Sequence, residues 1–480
     1  MAPLRLFYLG IGLLATTVST AYFLGVGVMG LPVVVIAIAC LASIAVSIRY
    51  EYRCTGDALS FYVLISMFYA LSFAVGGLFY AQDRVAQVSS GFDRTDVWKA
   101  MVLGWIAWGL FTLGYRALRR TRAGSTTPSW NRVLNVGYLR ALYGLGWLAR
   151  FDLVRQHRYF HAVASVQALQ ANDLSFAINA ASHLPQLVVC AFLLRRQRER
   201  RWLTPWTATA VALEIAWALP SGAREDLVAL GFSILGAFYL ARRRLPLTRL
   251  LVVGLLLVSI SFPLIANYRN TIIAQRQSVS QGVVVVPGTV GLSHTWSSVL
   301  SRFSDVESAA VVLHAGRVPA LTSSAIGAVG SVLTTVIPRA LDPQKSDPGL
   351  FGNEFARAYG FANAGDVTTS VNVSHPLSLY LLYGPLGVLV GMPILGLIVC
   401  RLDWALRRRW SLGRSAVIYV GVLWLIGSSP ETTPYLGLVG SLKDAAFYAV
   451  LFGPMFRRRR PAHICREASS RQSVASAGAR

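Results

Sequence analysis

Long apolar runs separated by short, arginine-rich connectors give this chain its pattern. Runs of about 17 to 25 mainly hydrophobic residues recur along it, the length a helix needs to cross roughly 30 Å of hydrocarbon. The pattern predicts transmembrane helices near residues 6–25, 28–48, 58–79, 97–117, 133–149, 176–194, 203–219, 226–242, 250–268, 376–400, 415–428 and 436–456. The first run leads straight into the second and has no small-residue cleavage site behind it, so it reads as a helix and not as a removable leader. Asn135 and Arg140 interrupt the run at 133–149, which is kept because losing it would break the alternation of basic connectors. The expected fold class is an all-α polytopic membrane protein of about twelve transmembrane helices.

Composition agrees with that class. Across 480 residues, 54% are hydrophobic and 14% charged, more apolar surface than one soluble core would hide. The formal net charge of +24 would fit a nucleic-acid partner, but its distribution argues against one. Basic residues gather in every second connection: Arg49 and Arg53, Arg116 to Arg122, Arg195 to Arg201, Arg242 to Arg249, Arg401 to Arg414, then Arg457 to Arg460. That is the positive-inside pattern, and it places both termini in the cytoplasm. A smaller share of the charge would grip anionic lipid head groups. Cys40, Cys54, Cys190, Cys400 and Cys465 fall within helices or on the cytoplasmic side, so no disulfide framework and no thiolate metal site is expected outside.

The chain then divides into four stretches. Residues 1–267 carry the first nine helices, 268–375 a large external loop, 376–456 the last three helices, and 457–480 a disordered basic cytoplasmic tail. Loops of that length usually carry function. Helical patterns within it, Val299 to Ala315 and Ser323 to Val336, read as short helices lying over the membrane surface. Paired halves with interrupted helices, the mark of many transporters, are absent.

Soluble-enzyme signatures are absent as well: no Asp-x-Asp, no phosphate loop, no nucleophile elbow and no His-Glu-x-x-His. His157 and His161 have a spacing that suits zinc, but no third ligand accompanies them, and they read as surface histidines. Neither a metal nor a cofactor is expected. External arginines are more informative, because orientation does not require them there. Arg224 follows the turn Pro220-Ser221-Gly222-Ala223, and Arg269 follows Asn267-Tyr268 at the far end of the next hairpin. Two guanidinium forks at one spot would clamp a pyrophosphate; the alternative is that each pairs locally with Glu225 or a lipid phosphate. His375 stands where the long loop re-enters the membrane, so its imidazole would meet a substrate at the surface as a base, or serve only as a cap. Inside the helices Arg140, Glu214 and Asp444 are costly unless paired, and a structural Arg140–Glu214 pair is the favoured arrangement.

Four segments taken in order carry a family resemblance. Ser221-Gly222-Ala223-Arg224-Glu225, Ile337-Pro338-Arg339-Ala340-Leu341-Asp342-Pro343, Gly352-Asn353-Glu354-Phe355-Ala356 and Leu379-Tyr380-Leu381-Leu382-Tyr383-Gly384-Pro385-Leu386-Gly387 resemble the O-antigen, or oligosaccharide repeat-unit, polymerase family. His375 resembles the histidine before the re-entering helix of the related O-antigen ligases, although proline follows it here in place of asparagine. The likeness covers roughly residues 200–400. It implies a GT-C-like fold and a metal-independent glycosyltransferase of the bacterial plasma membrane. Such an enzyme moves a glycan from one undecaprenyl diphosphate onto another lipid-linked repeat unit, for O-antigen, capsule or exopolysaccharide. By that resemblance Arg224 and Arg269, with Arg339 and Arg357 as further candidates, neutralise the departing diphosphate, and His375 or Glu354 activates the acceptor hydroxyl. Its partners would be the lipid-linked oligosaccharide, membrane lipids, a flippase and a chain-length regulator. The alternatives are a ligase that transfers the glycan to another acceptor, and a flippase or exporter.

Overall fold

A computed structural model describes residues 31–55, 59–81, 92–118, 132–156, 175–198, 204–221, 224–242, 305–316, 351–363, 371, 373–408, 417–423, 434–452 and 456–458. These residues are almost wholly helical. In chain order the helices are α1 (Leu31–Thr55), α2 (Phe61–Tyr69), a π-helical turn (Ala70–Val75), α3 (Gly76–Ala81), α4 (Arg94–Ala117), α5 (Val136–Arg155), α6 (Ser175–Ser182) and α7 (Leu184–Arg198). They continue with α8 (Pro205–Ser221), α9 (Arg224–Arg242), α10 (Asp305–Ala315), α11 (Phe351–Ala358), α12 (His375–Arg408) and α13 (Pro434–Leu451).

Five helical spans among the described residues are long and apolar enough to cross a membrane: Leu31–Thr55, Phe61–Leu78, Thr95–Ala117, Ala177–Leu194 and His375–Leu406. Each matches one apolar run of the sequence, and on that evidence the chain is a polytopic membrane protein whose described residues are mainly helical. The expected number of twelve exceeds what the described residues carry. The runs at 6–25 and 250–268 lie outside them, and 415–428 is described only as a helical stretch over 417–423. Helices α5, α8, α9 and α13 form where runs were expected but fall short as spans. α8 is only 17 residues long, and α5 carries Arg140, Arg150, Asp152 and Arg155.

Local sequence explains the helix starts. Asp93 and Asp96 form a reciprocal capping box on α4, with the Asp96 amide donating to Asp93 Oδ1 at 3.0 Å. Ser60 caps α2 by accepting from the Val63 amide at 3.1 Å. Asn135, which interrupts an apolar run in the sequence, is the cap of α5 and accepts from the Tyr138 amide at 3.3 Å.

The core is organised around the pairing of α4 with α12. Glycines allow their backbones to meet: a Cβ on Gly114 would lie 2.0 Å from the Pro393 carbonyl oxygen, and one on Gly396 would lie 2.2 Å from that of Phe111. Close approach through small residues is how helices associate in lipid, where burying apolar side chains gains nothing over the acyl chains. α12 itself breaks at Gly384, whose φ of 65° and ψ of −155° belong to a region that glycine alone adopts readily, and Pro385 follows directly.

One end of the bundle collects the basic helix termini. Arg116 near the end of α4 donates to Ser47 Oγ of α1 at 2.7 Å; Ser47 Oγ bonds the Tyr62 hydroxyl at 2.5 Å, and Tyr62 bonds Thr112 at 3.2 Å. Asp403, near the end of α12, accepts from Tyr115 at 2.9 Å and from Tyr419 at 3.0 Å. The ends that bear Arg53, Arg116 and Arg401 therefore lie together. Short strands β1 (Arg132–Leu134) and β2 (Phe456–Arg458) pair antiparallel, which sets the segment before α5 beside the segment after α13.

Candidate functional site

Away from that end, parts of the long loop are built into the bundle. Of Val299 to Ala315, which the sequence reading laid over the membrane surface, residues 299–304 lie outside the described residues and 305–315 form α10. α10 is packed into the core, with Val306, Ala309, Ala310 and Val312 each 0% exposed. Small and branched apolar side chains form its buried face, while Glu307 and His314, seven residues apart, lie on the less buried side. At its far end His314 Nδ1 meets Asp96 Oδ2 at 2.7 Å, and Asp96 also pairs with Lys99 at 3.2 Å, so α10 is tied to the start of α4. The second helical pattern, Ser323 to Val336, lies outside the described residues.

Two further bonds hold parts of the loop to one another. The Tyr359 hydroxyl, just past α11, donates to the Gly316 carbonyl at 2.9 Å, and the Val371 amide donates to the Gly352 carbonyl at 3.1 Å. The end of α10 is thus bonded to the residue that follows α11, and the start of α11 to Val371, four residues before α12. Asn353, Phe355 and Ala356 fix α11 by its buried face, while Glu354 and Arg357, three residues apart, are half-buried.

The Nε of Arg357 is enclosed and has no hydrogen-bond partner, and the same is true of the Nε of Arg116 at the basic end and of the Ser374 hydroxyl. His375, the first residue of α12, is 1% exposed and not presented at a surface as the sequence reading expected. Its neighbours Ser374 and Leu377 are themselves fully buried. Arg224 opens α9, with its side chain outside the described residues; Arg269, Arg339, His157 and His161 lie wholly outside them.

The interior ion pair differs from expectation in one partner. Arg140 is exposed, and Glu214 pairs instead with Arg150. The pairing is bidentate, Nη1 to Oε1 at 2.9 Å and Nη2 to Oε2 at 2.6 Å, while Nε donates to the Ser182 carbonyl at 2.9 Å. The guanidinium also lies 5.1 Å from the Trp147 ring centroid and 5.0 Å from that of Trp217. Arg150 escaped the sequence reading because the run was ended at residue 149, whereas the helix continues to Arg155. Asp403 was missed likewise, three residues beyond the expected end of α12.

A scan against protein-family models finds no match. Searches of the curated proteins and of the solved structures find none either.

Proposed function

We propose that this chain is a metal-independent glycosyltransferase that polymerises undecaprenyl-diphosphate-linked oligosaccharide repeat units on the outer face of a bacterial plasma membrane. Arg357 is the observation that carries the reading. A cation with an enclosed, unsatisfied nitrogen is costly to keep, and a phosphate oxygen arriving at that fork would offset the cost with a charge-assisted bond. The ordered motifs at Arg224, Arg339, Glu354 and Gly384 support the same class.

In the proposed reaction the acceptor hydroxyl oxygen attacks the anomeric carbon of the donor glycan. The bond from that carbon to the diphosphate oxygen breaks, and the lipid diphosphate leaves with the electron pair. Arg357, together with Arg224, Arg269 and Arg339, neutralises the leaving group, and His375 or Glu354 takes the acceptor proton. A diphosphate is an activated leaving group, so positioning and charge neutralisation supply most of the catalysis.

The test uses the full-length protein in nanodiscs with lipid-linked repeat units purified from a host strain that lacks this chain. The expected product is a ladder of carrier-linked glycans one repeat unit apart, formed equally in the presence of a chelator. Transfer to a different acceptor alone would assign the ligase reaction, and no transfer at all would overturn the proposal.

A further inference from the structure

Two serine hydroxyls among the described residues are enclosed and make no hydrogen bond: Ser72 in the π-helical turn, 0% exposed, and Ser374 at the head of α12, 1% exposed. Their settings differ. Ser72 lies within a helix, while Ser374 adjoins His375 at a helix start. A serine in the cap position ordinarily accepts a bond from the amide three residues on, as Ser60 does for α2. Ser374 does not cap. Its carbonyl oxygen accepts from the Ser378 amide at 2.8 Å and from the Ser378 hydroxyl at 2.9 Å, while its own hydroxyl is left over. The first turn of α12 is therefore held by Ser378, and folding makes no use of the Ser374 hydroxyl.

We propose that Ser374 is a substrate-positioning residue whose hydroxyl bonds the acceptor sugar and orients it toward the group that removes its proton. The assignment rests on the glycosyltransferase reading above. A serine hydroxyl both donates and accepts, which matches a neutral sugar hydroxyl. The charge a diphosphate needs comes instead from Arg357, on a different helix. A buried group that waits for a substrate hydroxyl also discriminates, because an acceptor lacking that hydroxyl leaves it unpaired.

Full-length Ser374→Ala, Ser72→Ala and wild type are compared in nanodiscs, with acceptor repeat unit titrated against fixed labelled donor and thermal melting recorded for each. Ser374→Ala is expected to melt at or above the wild-type temperature, because it removes an unsatisfied buried group. Its kcat/KM for acceptor should fall by roughly 10- to 100-fold, with donor saturation unchanged. Ser72→Ala should melt likewise and keep wild-type acceptor use. Full acceptor use by Ser374→Ala, or a lowered melting temperature alongside its activity loss, overturns the assignment while leaving the glycosyltransferase reading intact. A wild-type protein that makes no polymer overturns both.

Discussion

Arg150 is buried and Arg357 half-buried, and they are treated in opposite ways. Each of the three guanidinium nitrogens of Arg150 donates a bond, to Glu214 or to the Ser182 carbonyl, and two indole rings cover the group. Arg357 sits on a short helix from the long loop with an enclosed Nε that bonds nothing. In a low-dielectric interior an ion pair with every guanidinium nitrogen bonded holds its helices in one arrangement, and α5, α6 and α8 are joined by this one. Arg357 has no such set of partners at its Nε. On the proposed function, the contrast separates a fixed part of the bundle from the part that receives a phosphate.

That contrast can be broken on the rigid side first. Glu214→Ala strands the Arg150 charge among tryptophans, and the expected loss is about 3–5 kcal/mol of stability, read as a collapse in membrane abundance. A double variant, Arg150→Met with Glu214→Leu, should regain most of that loss, since apolar side chains of similar volume fill the space without a charge. A smaller effect is expected at the basic end. Asp403→Asn keeps the shape but weakens the bonds from Tyr115 and Tyr419, at a cost of about 1–2 kcal/mol, seen as a lowered melting temperature with the protein still inserted. Unchanged melting would mean that the two tyrosines hold the helix ends without the charge.

Hydropathy made five spans legible, because run length and composition are what a bilayer selects. It was less informative where a helix carries charge. α5 is interrupted by Asn135 and Arg140, and only the structure shows that the first is a cap and the second faces outward. Ionic partners were harder still. Arg150 and Asp403 lie just beyond the expected ends of their runs, in helices that continue past the apolar stretch. The burial of α10 was illegible for another reason: a short apolar helix on a membrane surface and one inside a bundle share a composition, and only tertiary contacts separate them. For the candidate site, the sequence marked His375, Glu354 and Arg357, but that Ser374 adjoins His375 with an idle hydroxyl depends on which carbonyls and amides are already taken.

Removing each arginine in the same strain, and reading membrane abundance together with polymer formed per molecule of protein, tests the division most directly. Arg357→Ala should accumulate as wild type does, yet lose on the order of 10² to 10³ in rate, with Arg357→Lys recovering only part because it keeps the charge and not the fork. Arg150→Ala should instead lose abundance while the surviving molecules stay active. Normal polymer from a normally abundant Arg357→Ala protein would contradict the account, as would a loss of activity in Arg357→Ala that merely follows its loss from the membrane.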